Sequence, residues 1–236
     1  MSGTVRRKAR VAIDGPAGAG KSTVARLLAE RLGYLLLDTG ALYRTVALAA
    51  QRAAVAWDDA PNVELVAEDL VARHRLVIKR IGGAGMQIHL DGEDVSLAIR
   101  APDVSLGASR VSSYPSVRAA LLDMQRREGI AGGVVLEGRD IGTVVFPDAE
   151  AKFFLTASAE IRARRRYDEL VDRGKADSFE ATLADVERRD KADTERAVAP
   201  LKQADDAILV DSSHRDVNDV VEEMARVVEA RERVPV

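Results

Sequence analysis

The chain has 236 residues, 47% of them hydrophobic, which is enough to bury the core of one α/β domain with insertions or of two small domains. Its 35 basic and 38 acidic residues give a net charge of −3, which argues against a general nucleic-acid binder, and 4% aromatic residues leave few stacking platforms for single strands. The absence of cysteine excludes disulfides and thiolate zinc sites.

The basic start of the chain is followed by an apolar run that is too short for a signal peptide. No uncharged run approaches the length of a membrane span. We therefore expect a soluble cytoplasmic protein, without a nucleic-acid or membrane partner.

The first predicted strand, 10–14, leads into a segment that fits the P-loop pattern G-x-x-x-x-G-K-[ST] and then into a predicted helix, 21–32, that stops at Gly33. In such a loop the glycines let successive backbone N–H groups turn toward phosphate oxygens. Lys21 adds a positive charge near the β- and γ-phosphates, and the Ser22 hydroxyl reaches Mg²⁺. The segment predicts a nucleoside triphosphate site with Mg²⁺, formed by Gly15, Pro16, Ala17, Gly18, Ala19, Gly20, Lys21, Ser22 and Thr23.

The second predicted strand, 34–37, is followed by a predicted helix over 40–53. Asp38 and Thr39 stand where that helix needs a cap. Thr39 and Tyr43 are four residues apart and share a helix face, with Arg44 adjacent at the carboxyl end of the sheet. This pattern suits a ligand site, although an ordinary cap with a surface tyrosine and arginine remains the alternative.

A segment that interrupts the βα rhythm lies between the second and third core strands. A predicted helix over 62–72 precedes residues 75–95, where alternating residues and the glycine-rich turn 82–85 predict a hairpin and a short third strand. We interpret this part as a small β insert in the α/β core.

The third core strand, 133–136, follows a predicted helix over 115–128 and runs into the turn Glu137-Gly138-Arg139-Asp140. An acid, an arginine and a second acid at the end of a buried strand suit water-mediated Mg²⁺ binding and phosphate contact. A charged loop without function is the alternative.

The last third of the chain contains strands predicted at 151–155 and 207–210 and helices at 158–173, 178–194 and 215–231. The charged stretch 172–200 delays the return to the last strand. Arg189, Asp193 and Arg196 would form one helical stripe there, either as part of a closing flap or as a solvated face. Together, the elements predict an α/β fold in which helices flank a parallel P-loop sheet of about five strands.

The three histidines lie outside every motif. A kinase of an alcohol needs a base for the hydroxyl proton. A nucleoside monophosphate needs none, because its second pKa, near ~6, leaves a phosphate oxygen anionic at pH 7. The missing base therefore favours a monophosphate acceptor.

At this point the sequence resembles the bacterial cytidylate kinases of the nucleoside monophosphate kinase family. The matching stretches follow one another in order from residue 13 to residue 201. They are Ile13-Asp-Gly-Pro-Ala-Gly-Ala-Gly-Lys-Ser-Thr, Leu37-Asp-Thr-Gly-Ala-Leu-Tyr-Arg, Leu90-Asp-Gly-Glu-Asp-Val, Gly138-Arg-Asp-Ile-Gly-Thr-Val-Val-Phe-Pro-Asp-Ala, Glu187-Arg-Arg-Asp and Arg196-Ala-Val-Ala-Pro-Leu.

The resemblance implies phosphorylation of CMP and dCMP to CDP and dCDP by ATP with Mg²⁺. It implies Lys21, Arg139, Arg189 and Arg196 as catalytic residues. The implied substrate residues are Thr39, Tyr43, Arg44, Ser109, Arg118, Arg139, Asp140, Arg189 and Asp193, with Ser109, Arg118 and Asp140 recognising cytosine. Ser22, acting with the phosphates, and Glu137, acting through water, are the implied Mg²⁺ contacts. This chain has Thr39 and Glu137 where we expect Ser and Asp, and the longer Glu137 weakens the case for direct metal ligation.

The resemblance also implies one P-loop kinase domain over 1–236, acting as a monomer. It would comprise a core (about 1–62, 108–171 and 201–236), a monophosphate-binding insert (about 63–107) and a helical lid (about 172–200). The alternatives are a kinase of another monophosphate such as UMP, a shikimate-type kinase of a small alcohol, and a guanine-nucleotide switch. The switch would need an Asn-Lys-x-Asp string, which the sequence lacks.

Overall fold

A computed structural model describes residues 8–83, 85–175 and 177–232 of the chain. In chain order the strands are β1 (Arg10–Asp14), β2 (Leu35–Asp38), β3 (Leu76–Arg80), β4 (Met86–Leu90), β5 (Glu93–Asp94), β6 (Val134–Gly138), β7 (Ala151–Thr156) and β8 (Ile208–Asp211). The helices are α1 (Lys21–Leu32), α2 (Thr39–Arg52), α3 (Ala60–Ala72), α4 (Pro102–Val111), α5 (Pro115–Gly129), α6 (Ala159–Asp172), α7 (Phe179–Glu195) and α8 (Val217–Glu232).

Five strands form one parallel sheet in the order β2-β6-β1-β7-β8. β1 is buried on both faces: Val11 and Ile13 pack with α1 and α8, whereas Ala12 packs on the opposite side with Leu136 and Ile141. A strand that is buried on both faces consists of a nearly continuous run of apolar residues, which is why the sequence predicts β1. The predicted five-stranded sheet flanked by helices is confirmed.

The register of the parallel strands brings the polar strand ends together. Asp14 at the end of β1 lies beside Gly138 of β6, and Asp38 at the end of β2 lies beside Glu137. The P-loop follows β1 directly, so it shares this edge with both acids. The carboxyl edge of an open α/β sheet is where such folds bind ligands.

The predicted β insert is also confirmed. β3, β4 and β5 form a separate antiparallel sheet, with Leu76 opposite Leu90 and His89 opposite Asp94. One residue of the predicted glycine turn, Ala84, lies outside the described residues. The same holds for Ala176 in the expected lid, and for residues 1–7 and 233–236 at the ends of the expected core.

Among the elements of four or more residues in the described chain, two were not predicted from the sequence. The first is α4, which contains Gly107 and crosses the expected insert boundary near residue 107. A Cβ on Gly107 would lie 2.5 Å from the Trp57 ring, so the glycine serves close packing of this ring on α4 rather than a break in the helix. The second is a π-helical turn, Ile141–Val145, directly after the acidic turn of β6. π-Helical turns of this kind are frequent at functional sites.

None of the helices in the described part of the chain is long and apolar enough to cross a bilayer.

Candidate active site

The P-loop is held against the neighbouring strand. Gly15 has φ +148°, and a Cβ there would lie 1.9 Å from the carbonyl oxygen of Leu155 in β7, so only glycine fits. Gly20 caps α1, which places the positive end of that helix at the loop. Lys21 is buried, and its Nζ donates to the carbonyl oxygens of Gly15 and Pro16, both at 2.7 Å. Burial lowers the pKa of Lys21.

Ser22 and Glu137 meet across the loop although 115 residues separate them. The Ser22 hydroxyl donates to Glu137 Oε2 at 3.0 Å. Glu137 Oε1 is buried without a hydrogen-bond partner. Burial raises the pKa of Glu137, because it penalises the charged carboxylate, and the Asp38 charge raises it further. An unpartnered buried oxygen next to a hydroxyl is a donor set that suits a hard cation such as Mg²⁺.

Protein side chains alone do not form a cation cage here. No group of three or more His, Cys, Asp or Glu side chains suited to a metal occurs within residues 8–83, 85–175 and 177–232. A cation at Ser22 and Glu137 would therefore take most of its ligands from phosphate oxygens and water, which is how Mg²⁺ commonly binds.

The start of α2 ties β2 to β6. Asp38 caps the helix by accepting from the Ala41 N–H at 3.2 Å, and its other oxygen accepts from Arg44 Nη2 at 2.5 Å. The Thr39 hydroxyl donates to the Glu137 carbonyl at 2.8 Å. Arg44 Nε is buried without a hydrogen-bond partner, so this arginine keeps a donor for an anion at the sheet edge. The predicted helix cap is confirmed.

Asp140 and Arg118 form a close ion pair in which both side chains are less than 10% exposed. Arg118 Nη1 also donates to the carbonyl of Ser112 at 3.2 Å, and its guanidinium lies over the Tyr43 ring, 5.4 Å from the centroid. Burial raises the pKa of Tyr43. The structure thus brings together, around one buried carboxylate, residues from α2, α5 and the turn after β6.

The helix α7 is tied to the turn after β6. Arg139 Nε donates to Asp193 Oδ2 at 2.7 Å. Burial by itself would raise the pKa of Asp193, but the charge and hydrogen bond of Arg139 outweigh it and lower that pKa. The expected stripe is correct for Arg189 and Asp193 only. Arg196 is not on the helix, which ends at Glu195: its backbone is extended, and its Nε donates to Ala199 O.

A cavity of about 900 Å³ opens between α4 and α7. Arg196 also reaches Asp140, with Nη2 at 3.8 Å from Oδ1, so this cavity adjoins the Arg118–Asp140 pair. Residues of the loop after α2, of α4 and of the α7 region line it, among them Trp57, Ser109, Arg189, Asp193 and Arg196. Of the predicted cytosine set, Ser109 is the only member in the cavity lining.

Asp14 and Arg162 were not singled out as site residues by the sequence analysis. The two oxygens of Asp14 accept the N–H groups of Ile141 and Gly142 at 2.8 and 2.7 Å, and so anchor the turn that carries Arg139 and Asp140. Burial raises the pKa of Asp14 to about 6. An acid at the end of a buried strand is the same signal that singled out Glu137. Nothing in the local sequence distinguishes Arg162 from its arginine neighbours.

The sequence model of the cytidylate kinase family matches residues 11–230. A cytidylate kinase of Syntrophotalea carbinolica is 50% identical over 98% of this chain and 96% of its own length. One from Geobacter sulfurreducens is 49% identical over 99% of this chain and 98% of its own length. A solved structure of shikimate kinase from Acinetobacter baumannii in complex with shikimate aligns at a TM-score of 0.45 and 16% identity over 97% of each chain, which is too distant to carry an argument about function.

The family match spans nearly all of the described chain, and the relatives share about half of their residues with it over almost their entire lengths. Of the stretches quoted for the resemblance, the P-loop, the start of α2 and the turn after β6 follow the carboxyl ends of neighbouring strands β1, β2 and β6 of the parallel sheet. The chain therefore belongs to the cytidylate kinase family.

Proposed function

We propose that this protein transfers the γ-phosphoryl group of ATP to CMP and dCMP, with Mg²⁺. The observation that carries the proposal is the placement of the P-loop beside the buried Arg118–Asp140 pair. Both lie at the carboxyl edge of the sheet, and Asp14 links them by joining the end of β1 to the turn that carries Asp140.

The donor site is proposed at the P-loop. Lys21 Nζ lies within reach of the loop carbonyls and neutralises charge on the transferring phosphate. Ser22 and the unpartnered Oε1 of Glu137 would hold Mg²⁺, which supplies charge neutralisation and bridges phosphate oxygens. Because burial raises the pKa of Glu137, a nearby cation would favour its charged form.

The acceptor phosphate is proposed to lie between the start of α2 and α7. Arg44 offers an unpartnered Nε there. Arg139 and Arg189 approach from the other side, and Asp193 holds Arg139 in place through a 2.7 Å hydrogen bond. An anionic phosphate oxygen is already a nucleophile at pH 7, so these residues position and neutralise without removing a proton.

Base recognition is proposed at Asp140. Cytosine carries an N4 amino donor that a carboxylate accepts, whereas uracil carries an oxygen at that position. With uracil, the buried carboxylate would face another acceptor, and both groups would lose their hydrogen bonds to water without replacement. Arg118 holds the Asp140 carboxylate in place through their ion pair.

We propose the division of the molecule that the sequence resemblance implies, although α4 crosses its boundary near residue 107. Residues of about 63–107 form the acceptor insert, about 172–200 form a lid, and the remaining chain is the core of one P-loop kinase domain. Closure of a lid over both nucleotides would exclude water and limit hydrolysis of ATP.

A coupled assay of ADP release across CMP, dCMP, UMP, AMP and shikimate tests the proposal, with GTP hydrolysis measured in parallel. We expect kcat/KM for CMP and dCMP to exceed that for UMP by about 10²-fold or more, because the uracil oxygen opposite Asp140 would leave buried polar groups unpaired. Preference for UMP or shikimate, or GTP hydrolysis without any acceptor, would contradict it.

A further inference from the structure

Arg162 is a buried arginine on α6 with no part in the chemistry proposed above. Its side chain is 5% exposed. Nε donates to the Ala157 carbonyl at 2.8 Å, and Nη1 donates to the P-loop carbonyl of Ala17 at 3.1 Å. Nη1 and Nη2 donate to the two carboxylate oxygens of Asp190 on α7, at 2.9 and 2.5 Å. A guanidinium stays charged in a protein, so Asp190 serves as its charge partner.

The hydrogen bond from Arg162 to the Ala17 carbonyl orients one peptide group of the P-loop. In a trans peptide the carbonyl and the following N–H point to opposite sides. Because Arg162 draws the Ala17 carbonyl toward α6, the N–H of Gly18 is turned away from α6. Gly18 has φ +78°, and a Cβ there would lie 3.1 Å from Arg162 Cβ, so the loop backbone rests directly on this arginine. Inward N–H groups are what a P-loop uses to bind phosphate.

The contact with Asp190 fixes α7. Asp190 directly follows Arg189, and Asp193 lies one turn further along the same helix. Asp193 is bound to Arg139 in the turn after β6. α7 is thus held by two ion pairs, one to the arginine beneath the P-loop and one to the strand end. Two fixed points set both the position and the rotation of the helix.

We propose that Arg162 is a positioning residue that couples the P-loop to α7. It orients the Gly18 N–H toward the donor phosphate, and through Asp190 it holds Arg189 and Asp193 over the acceptor. The inference rests on the proposed phosphoryl transfer and assigns to this buried ion pair the alignment of donor and acceptor. If the pair only stabilised the fold, its loss would lower the melting temperature and leave binding and turnover of the folded enzyme unchanged.

Arg162→Lys tests the two contacts together. Lysine keeps the positive charge, but its single ammonium cannot span Ala17 and Asp190 as the planar fork does. We expect the dissociation constant for a non-hydrolysable ATP analogue to rise about tenfold or more and kcat to fall by a similar factor, because small misplacements of reacting groups are costly. Values within twofold of wild type, measured well below the melting temperature, would overturn the proposal.

Asp190→Asn tests the contact with α7 separately. Arg162 keeps its bond to Ala17 in this variant, so we expect the affinity for the ATP analogue to change less than about threefold while kcat falls about tenfold or more. Asp190→Glu should restore most of kcat, since it returns the charge. Asp185→Asn is the matched control: Asp185 lies on the same helix in an exposed ion pair with Arg188, and we expect both constants within twofold of wild type.

A loss of melting temperature in Asp190→Asn with unchanged kcat and affinity would overturn the coupling. If Asp190→Asn does not fold, kcat and the dissociation constant for the ATP analogue, measured on Arg162→Lys and Asp190→Glu, test the coupling. Failure of the proposed function is a separate result: wild-type enzyme would then bind the ATP analogue without phosphorylating CMP. The analogue affinity of Arg162→Lys still tests the role of Arg162 in that case.

Discussion

We expect individual side chains at the sheet edge to have separate roles in the proposed reaction, beginning with Lys21. It is buried, and its ammonium already lies among the P-loop carbonyls. We expect Lys21→Ala to lower kcat by about 10²-fold or more, because a preorganised charge at the transferring phosphate is lost. Steady-state kinetics, with circular dichroism to verify folding, measure the effect. Lys202 is exposed, and we expect Lys202→Ala to leave kcat unchanged. A Lys21→Ala enzyme that keeps more than about a tenth of wild-type kcat would contradict the role of Lys21.

Base selectivity is expected to rest on Asp140. In Asp140→Asn the side chain offers both a donor and an acceptor, so the penalty against the uracil oxygen disappears. We expect the ratio of kcat/KM for CMP over UMP to fall about tenfold, chiefly through a smaller loss for UMP. The exposed Asp123→Asn on α5 is the control. Equal losses for both acceptors would show that Asp140 only supports the fold, through its ion pair with Arg118.

Asp14 is expected to make stability depend on pH. Burial raises its pKa to about 6 from an ordinary 3.8, so the folded protein holds this proton more tightly than the unfolded chain does. The stability that Asp14 contributes is therefore fully present below pH 3.8 and is lost as the pH rises through about 6.

The test compares wild type with Asp14→Asn by chemical denaturation. We expect the free energy of unfolding of wild type, minus that of the variant, to fall by about 2 kcal/mol between about pH 4.5 and about pH 7. The subtraction removes the other titrating groups. A difference that stays constant or grows over this range would show that the pKa of Asp14 is not raised.

At the scale of elements, we expect turnover to depend on the placement of α7. Arg189 lines the cavity between α4 and α7, and Arg162, which binds Asp190 of α7, contacts the P-loop through the Ala17 carbonyl. We expect Arg189→Ala to lower kcat/KM for CMP by about 10²-fold with little change in ATP binding measured alone. Arg226→Ala, an exposed arginine of α8, is the control. If kcat/KM of Arg189→Ala for CMP stays near the wild-type value, this side of α7 is a solvated, salt-bridged surface without a role in turnover.

The elements also show where local sequence suffices. α1 coincides with its predicted range, 21–32, because Gly33 adopts φ +62° and caps its end. The central strands β1 and β6 were predicted to within two residues because they are buried on both faces, which favours apolar residues along them. α4 was not predicted because it contains Gly107. That glycine makes room for the ring of Trp57, a residue that lies far away in the sequence.

At the scale of the whole molecule, we expect Trp57 to report on binding of the proposed acceptor. Trp57 is the single tryptophan of the sequence, lines the cavity between α4 and α7, and donates its ring N–H to the Ala47 carbonyl at 2.9 Å. We expect CMP to change the intrinsic fluorescence in a saturable way, because binding alters the polarity and solvent access around the ring. Fluorescence titration gives the dissociation constant.

Two controls accompany this titration. Trp57→Phe should abolish the signal while preserving most of the turnover, because phenylalanine still packs on Gly107. An ATP analogue alone should leave the fluorescence nearly unchanged. A larger response to the analogue than to CMP would place the acceptor elsewhere.

The sequence by itself determined the parts of this protein whose causes are local. The P-loop pattern, the apolar strands and the Asp38 cap each depend on a few consecutive residues, and the structure places them where those residues predict. The roles of the cytosine set and of the arginines came from the resemblance, because no spacing rule connects residues that lie so far apart.

Only the tertiary structure decided which side chains meet. Ser22 bonds to Glu137 across 115 residues, Asp14 holds the Ile141 and Gly142 N–H groups across 127 and 128, and Arg162 reaches Ala17 across 145. Each contact follows from the register of parallel strands, which sets polar strand ends and helix starts beside one another. Periodicity in sequence cannot encode that register, because it is fixed by how the buried faces of distant elements pack.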